Sequence, residues 1–230
     1  MGTTLGKFAR IFAGAFIAAS AVADVIYDNG GPDAGTYGSN STVELGLNPD
    51  FTAFDDFVLD DGNNVITDLH WWGNYYLYYS PQITDHFEVY IYADASGSPD
   101  LDLGPLYTID GETAVREETS LDANGNEDSP VFAYDLFFDP ITLDANVTYW
   151  LAITNGFYWY WQGADTTGTS FEIVGANFPG DIANWKDELD ERDYNLAFNI
   201  TGGVVPEPST VVLLGAGVAA LFVRQRMRRS

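Results

Sequence analysis

The chain has 230 residues, nine Lys and Arg against 34 Asp and Glu, a formal charge of −25 and no cysteine. Between residues 24 and 202 three cations stand among 33 acids, about −30, a field that repels phosphate backbones and excludes nucleic acid as a partner. With no disulfide, Fe–S cluster or thiol nucleophile available, the fold must rest on its core, to which six Trp, 14 Tyr and 15 Phe bring large areas for burial.

In chain order, Lys7 and Arg10 precede an apolar stretch, Ile11 to Ser20, and then Ala21-Val22-Ala23. That is the order of a secretory signal peptide, 1–23, with small residues for signal peptidase at Ala21 and Ala23. The apolar run is too short to span a bilayer, so a signal helix cleaved before Asp24 is expected.

Residues 24–202 alternate short period-two runs with Gly, Pro, Asn and Asp clusters, which predicts strands joined by turns. Val65, Leu69 and Trp71 share one face, as do Phe87, Val89 and Ile91. So do Phe132, Tyr134, Leu136 and Phe138, then Val147, Tyr149, Leu151 and Ile153, then Leu196, Phe198 and Ile200. Turns are expected at Asp60–Asn64 and Asn124-Gly125, a loop at Asp94–Pro99, and a charged excursion or helical turn at 188–192. Nine or ten strands, each with one wet face, predict a single all-β antiparallel sandwich of jelly-roll type.

The final segment, 203–230, contains Val205-Pro206-Glu207-Pro208-Ser209, an apolar run from Val211 to Val223 expected to form a hydrophobic helix, and a basic cluster of Arg224, Arg226, Arg228 and Arg229. The two prolines hold Glu207 in an extended backbone that an enzyme can grip, and the arginines would halt transfer and stay on the cytoplasmic side of a membrane. This arrangement closely resembles the PEP-CTERM sorting signal of Gram-negative and related bacteria, a tail also known as an ice-binding protein C-terminal domain without any bearing on ice. The resemblance implies recognition by an exosortase, a membrane-embedded transpeptidase-like enzyme, in an organism that makes exopolysaccharide or biofilm. Residues 50–202 resemble a recurrent sandwich domain of PEP-CTERM proteins. The pieces are Asp55-Asp56-Phe57-Val58-Leu59, Trp71-Trp72-Gly73, Tyr90–Asp94 with Gly97-Ser98-Pro99, Thr148–Leu151 and Asn195–Phe198. That resemblance implies a fold and a surface location, and no activity.

Chemistry is sparse. No Gly-x-Ser-x-Gly elbow occurs, and His70 and His86 are too few for a three-histidine zinc site, so no catalytic residue is assigned and no cofactor is called for. Glu188 and Asp190 resemble part of a glucanase signature only loosely, leaving a glycan-active enzyme as the least favoured reading. Asp122, Asn124, Asn126 and Asp128 place oxygens at alternate positions as a calcium loop does, yet Glu127 replaces the EF-hand glycine and Ala133 its final Glu. A plain Asx-rich turn and an irregular calcium site both remain open. Trp71-Trp72, Tyr75-Tyr76, Tyr78-Tyr79 and the run 157–161 put rings on both faces of their segments, so some lie outside; Trp72, Tyr76, Tyr79, Tyr158 and Tyr160 are the candidate sugar contacts, with a second sheet's core or a lid as the other reading. The expected role is a non-enzymatic structural or adhesive component of an exopolysaccharide matrix, with a lectin-like, calcium-assisted module as the alternative.

Overall fold

The computed structural model describes residues 24–33, 38–42, 50–75, 84–123, 129–156, 158–175 and 189–202. The signal segment, residues 124–128 and 176–188, and everything after Gly202 lie outside these, as do the signal helix and C-terminal helix expected there. Among the described residues thirteen strands are formed: β1 (Asp24–Asp28), β2 (Ser39–Asn40), β3 (Asp50–Val58), β4 (Val65–Tyr75), β5 (Glu88–Ala93), β6 (Tyr107–Asp110), β7 (Val115–Asp122), β8 (Pro130–Thr142), β9 (Thr148–Thr154), β10 (Trp159–Trp161), β11 (Ser170–Gly175), β12 (Leu189–Arg192) and β13 (Phe198–Gly202). The surplus over the expected nine or ten comes from short strands such as β2, β6 and β10, which carry too few residues to show a period.

All strand pairs are antiparallel and make two sheets. In the first, β7 lies beside β8 and β8 beside β4, while β13 and β10 share the other edge of β4, with β1 outside β13 and β2 outside β10. The second runs β12-β11-β3-β9-β5-β6. Residues 189–192 are therefore an edge strand paired with β11, in place of the expected charged excursion, because Phe171 and Ile173 offer it a ladder.

The two inner faces share one core that includes Phe57, Leu69, Trp71, Phe87, Ile91, Tyr134, Leu151, Trp159 and Phe198. Phe87 sits at its aromatic centre, edge-on to Trp71 at 5.1 Å, Tyr134 at 4.7 Å and Trp159 at 5.2 Å, the geometry that ring quadrupoles favour. Gly73 makes room for this: a Cβ there would lie 2.3 Å from the Trp159 indole.

Three sequence expectations need correction. Against β13, Thr67 is an extra residue in β4, so the inward phase shifts and Ile66 is buried in place of half-buried Val65. The register of β8 against β4 breaks over the same stretch, around Pro140, which has no N–H to donate. Val147 is 42% exposed, since it belongs to the turn before β9, where Asn146 adopts φ 58°. Finally, β5 and β9 have no wet face: Phe54, Tyr90, Tyr92, Leu101, Trp150, Ala152 and Phe171 form a second buried cluster on the outer side of the second sheet. The predicted turn at Asp60–Asn64 and the predicted loop at Asp94–Pro99 are present, the turn closed by Asn63 N to Asp60 O at 3.0 Å with Gly62 at φ 82°.

Candidate functional site

Of the candidate sugar-contact rings, Trp72, Tyr158 and Tyr160 lie among the described residues, and Tyr76 and Tyr79 do not. Alternation along β4 sends Trp71, Gly73 and Tyr75 inward and Trp72 and Asn74 outward, while β10 buries Trp159 and Trp161 and turns Tyr160 outward. Tyr160 is the cross-strand partner of Asn74, so Trp72, Asn74 and Tyr160 share one small outward patch. Trp72 and Tyr160 are half-buried. Asn74 is fully buried, and neither end of its amide has a hydrogen-bond partner among the described residues. Tyr158 lies immediately before β10, 46% exposed and at φ 50°.

On the same outer face, His70 bridges two carboxylates: Nδ1 meets Asp135 and Nε2 meets Asp68 at 2.8 Å. Asp68 also accepts hydrogen bonds from Thr67 at 2.8 Å and from Thr201. With a carboxylate at each ring nitrogen, His70 ties β4 to β8 through Asp135. The sequence reading named neither partner: Asp68 lies two residues away on the same face of β4, and Asp135 becomes visible only once β8 is paired in register. Among the described residues no group of three or more His, Asp or Glu could hold a metal ion. Of the calcium-loop candidates Asp122, half-buried at the end of β7, is described; Asn124, Asn126 and Asp128 fall outside, as does Glu188 of the acid pair.

Two buried polar clusters escaped the sequence reading. In one, Asp85 accepts from the Tyr75 hydroxyl and from Asn155 Nδ2 at 2.9 Å and ion-pairs with Arg116 at 3.0 Å. Asn155 also donates to Tyr75 Oη at 2.9 Å and accepts from His86 N at 2.8 Å, and the guanidinium lies 5.1 Å over the Phe132 ring. Burial beside Asp85 pushes the Tyr75 hydroxyl above its ordinary range.

In the other, fully buried Asp55 accepts from Leu196 N, from Asp56 N at 2.8 Å and from Asn29 Nδ2 at 2.9 Å. Asn29 Oδ1 in turn accepts from Tyr27 Oη at 3.0 Å and Asn195 Nδ2 at 3.1 Å. Burial raises the Asp55 carboxyl well above the usual carboxylate range, although these N–H donors pull the other way. Both clusters join residues far apart in the chain, Tyr75 with Asn155 and Asp55 with Leu196.

The ends of the sandwich differ in one topological respect. Asp24, the first residue of β1, is the register partner of Gly202, the last residue of β13, so the chain enters and leaves at one corner. That end also gathers the C-terminal ends of β3, β5 and β8 and the starts of β4, β6 and β9.

A family model, the PEP-CTERM protein-sorting motif, matches residues 204–229, a stretch that contains the Val205–Ser209 and arginine-cluster residues and starts two positions beyond β13. No curated protein and no solved structure matches the chain. Among the described residues no helix is long and apolar enough to cross a membrane.

Proposed function

We propose that the chain is an exported protein sorted by an exosortase-type enzyme through residues 204–229, and that its sandwich is a non-enzymatic structural or adhesive component of an exopolysaccharide matrix. The PEP-CTERM motif carries this reading and implies an exported, envelope-associated protein. In it, signal peptidase removes 1–23, the 211–223 segment holds the precursor in the membrane until processing, and the mature chain passes to the surface of a Gram-negative-type cell. The jelly-roll description belongs to the same reading, supported by two wholly antiparallel sheets around one core. An acidic domain held by buried polar networks suits a durable, soluble matrix component.

The test is a mass shift in a host that contains an exosortase. The wild-type chain is expected to lose its C-terminal segment and leave the membrane fraction, whereas Glu207→Ala or removal of 204–229 leaves it unprocessed or mislocalised. Identical processing of wild type and Glu207→Ala would overturn the reading.

A second reading, a carbohydrate-binding module with or without calcium, draws on the outward patch of Trp72, Tyr160 and Asn74, two rings flanking a buried amide with no described partner. Binding on a glycan array that Trp72→Ala abolishes would favour it, and EDTA would separate the calcium-assisted form from the metal-free one.

A further inference from the structure

The tail is short, and it departs from a defined place. Glu207 is five residues beyond Gly202, which an extended chain spans in at most about 18 Å, and Val211 is nine residues beyond, at most about 32 Å. Whenever residues 211–223 are held in a bilayer and Glu207 in an enzyme, the corner bearing Gly202 is therefore the part of the sandwich brought against the processing machinery.

This end carries an unusual surface. Among the described residues, six of the nine exposed large hydrophobics belong to it: Val25, Val58, Leu103, Leu106, Tyr107 and Val147, with Leu103 67% exposed. Register places them there: Val25 follows Asp24, Val58 pairs with Thr148 immediately after Val147, and the Tyr107 hydroxyl reaches Thr142 O at the end of β8. Around them stand exposed acids, Asp24, Asp60, Asp61, Asp102 and Asp144. The two described arginines lie elsewhere, each in an ion pair, Arg116 with Asp85 and Arg192 with Glu172.

We propose that this end of the sandwich is a docking surface for the exosortase-type enzyme itself, on a protein patch with an apolar centre and a Lys/Arg rim; the proposal rests on the sorting reading above. Apolar contacts ringed by opposite charge give an encounter both its steering and its hold. Lipid is the weaker partner for the same surface, because elements that rest on a membrane interface pair apolar side chains with Lys and Arg, and here the rim is acidic. Docking would raise the local concentration of the Pro-Glu-Pro segment at the enzyme, since a tether of a few residues turns cleavage into an intramolecular event.

The experiment uses the full chain in an exosortase-containing host and follows processing by mass over time. Leu103→Ser/Leu106→Ser/Val147→Ser is expected to slow processing by roughly threefold or more, while Val115→Ser/Tyr158→Ser, away from this end, matches wild type and both variants keep the wild-type Tm. A photo-crosslinker at position 106 is expected to capture the enzyme. Wild-type processing of the triple variant, or a crosslink to lipid alone, overturns the docking surface while leaving the sorting reading intact; a wild-type chain that is never processed removes both.

Discussion

One half of the sandwich is fastened by buried polar chemistry, and the other is fastened by turns. Away from the Asp24–Gly202 corner, Tyr75, Asp85, Arg116 and Asn155 lock the segment before β5 against β4, β7 and β9, and Asp55 gathers the chain around Asn29 and Leu196. At the corner one buried bond, Thr201 to Asp68, stands beside links that mainly support loops: Asn64 Nδ2 to Leu143 O at 2.6 Å, Asn146 Nδ2 to Asp61 at 3.1 Å, Tyr107 Oη to Thr142 O at 3.4 Å. Buried, mutually satisfied networks are costly to interrupt, because the partner left behind keeps its desolvation penalty. Exposed turn bonds exchange with water at little cost. The contrast separates a half built to stay closed from an end whose apolar side chains are left for a partner.

The comparison breaks most readily at Asn155. Asn155→Ala leaves the His86 N–H without its acceptor and takes one donor each from Tyr75 Oη and Asp85, and a loss of about 2–4 kcal/mol in denaturant unfolding is expected; a change below about 1 kcal/mol would show that the network is not a fastening.

Asp55 sharpens the contrast through pH. Its folded-state pKa is raised, so the folded chain holds this proton where the unfolded chain has released it. Its contribution is therefore greatest below the unfolded carboxylate value of about 4 and declines as pH rises toward the folded value. Asp55→Asn removes that component, so the stability of wild type relative to the variant should fall as pH is raised from about 4 toward neutrality. Parallel pH curves would contradict it.

The smallest effect belongs to the corner: Leu103→Ser and Leu106→Ser each should stay within about 0.5 kcal/mol of wild type, measured by Tm, because their side chains bury little. A larger loss would mean that these residues support the fold and are not free for a partner.

Much of the architecture was legible. Period-two patterning placed Leu69 and Trp71 on the core face of β4, because a strand alternates its faces whatever it packs against. The outer cluster of Phe54, Tyr90, Tyr92, Trp150 and Phe171 was not legible. Each of these residues occupies the phase that a lone strand gives to water, and they cover one another only once β11, β3, β9 and β5 stand side by side. The displacement of Val65 by Ile66 was hidden for a related reason, since a bulge is a property of a strand pair. Among the candidate contacts, Trp72 and Tyr160 were named from the density of rings in their segments, but the amide of Asn74 between them required the β4–β10 register.

By itself, the sequence determined the all-β class, the acidic exterior and the sorting tail, all of which depend on composition or on contiguous residues. Only the tertiary structure decided that Asp55 is a buried acceptor tied to Leu196, 141 positions away, and that the two ends of the sandwich domain share one corner ringed by exposed apolar side chains. Those features arise from contacts between residues far apart in the chain, and local patterning holds no record of which distant strand becomes a neighbour.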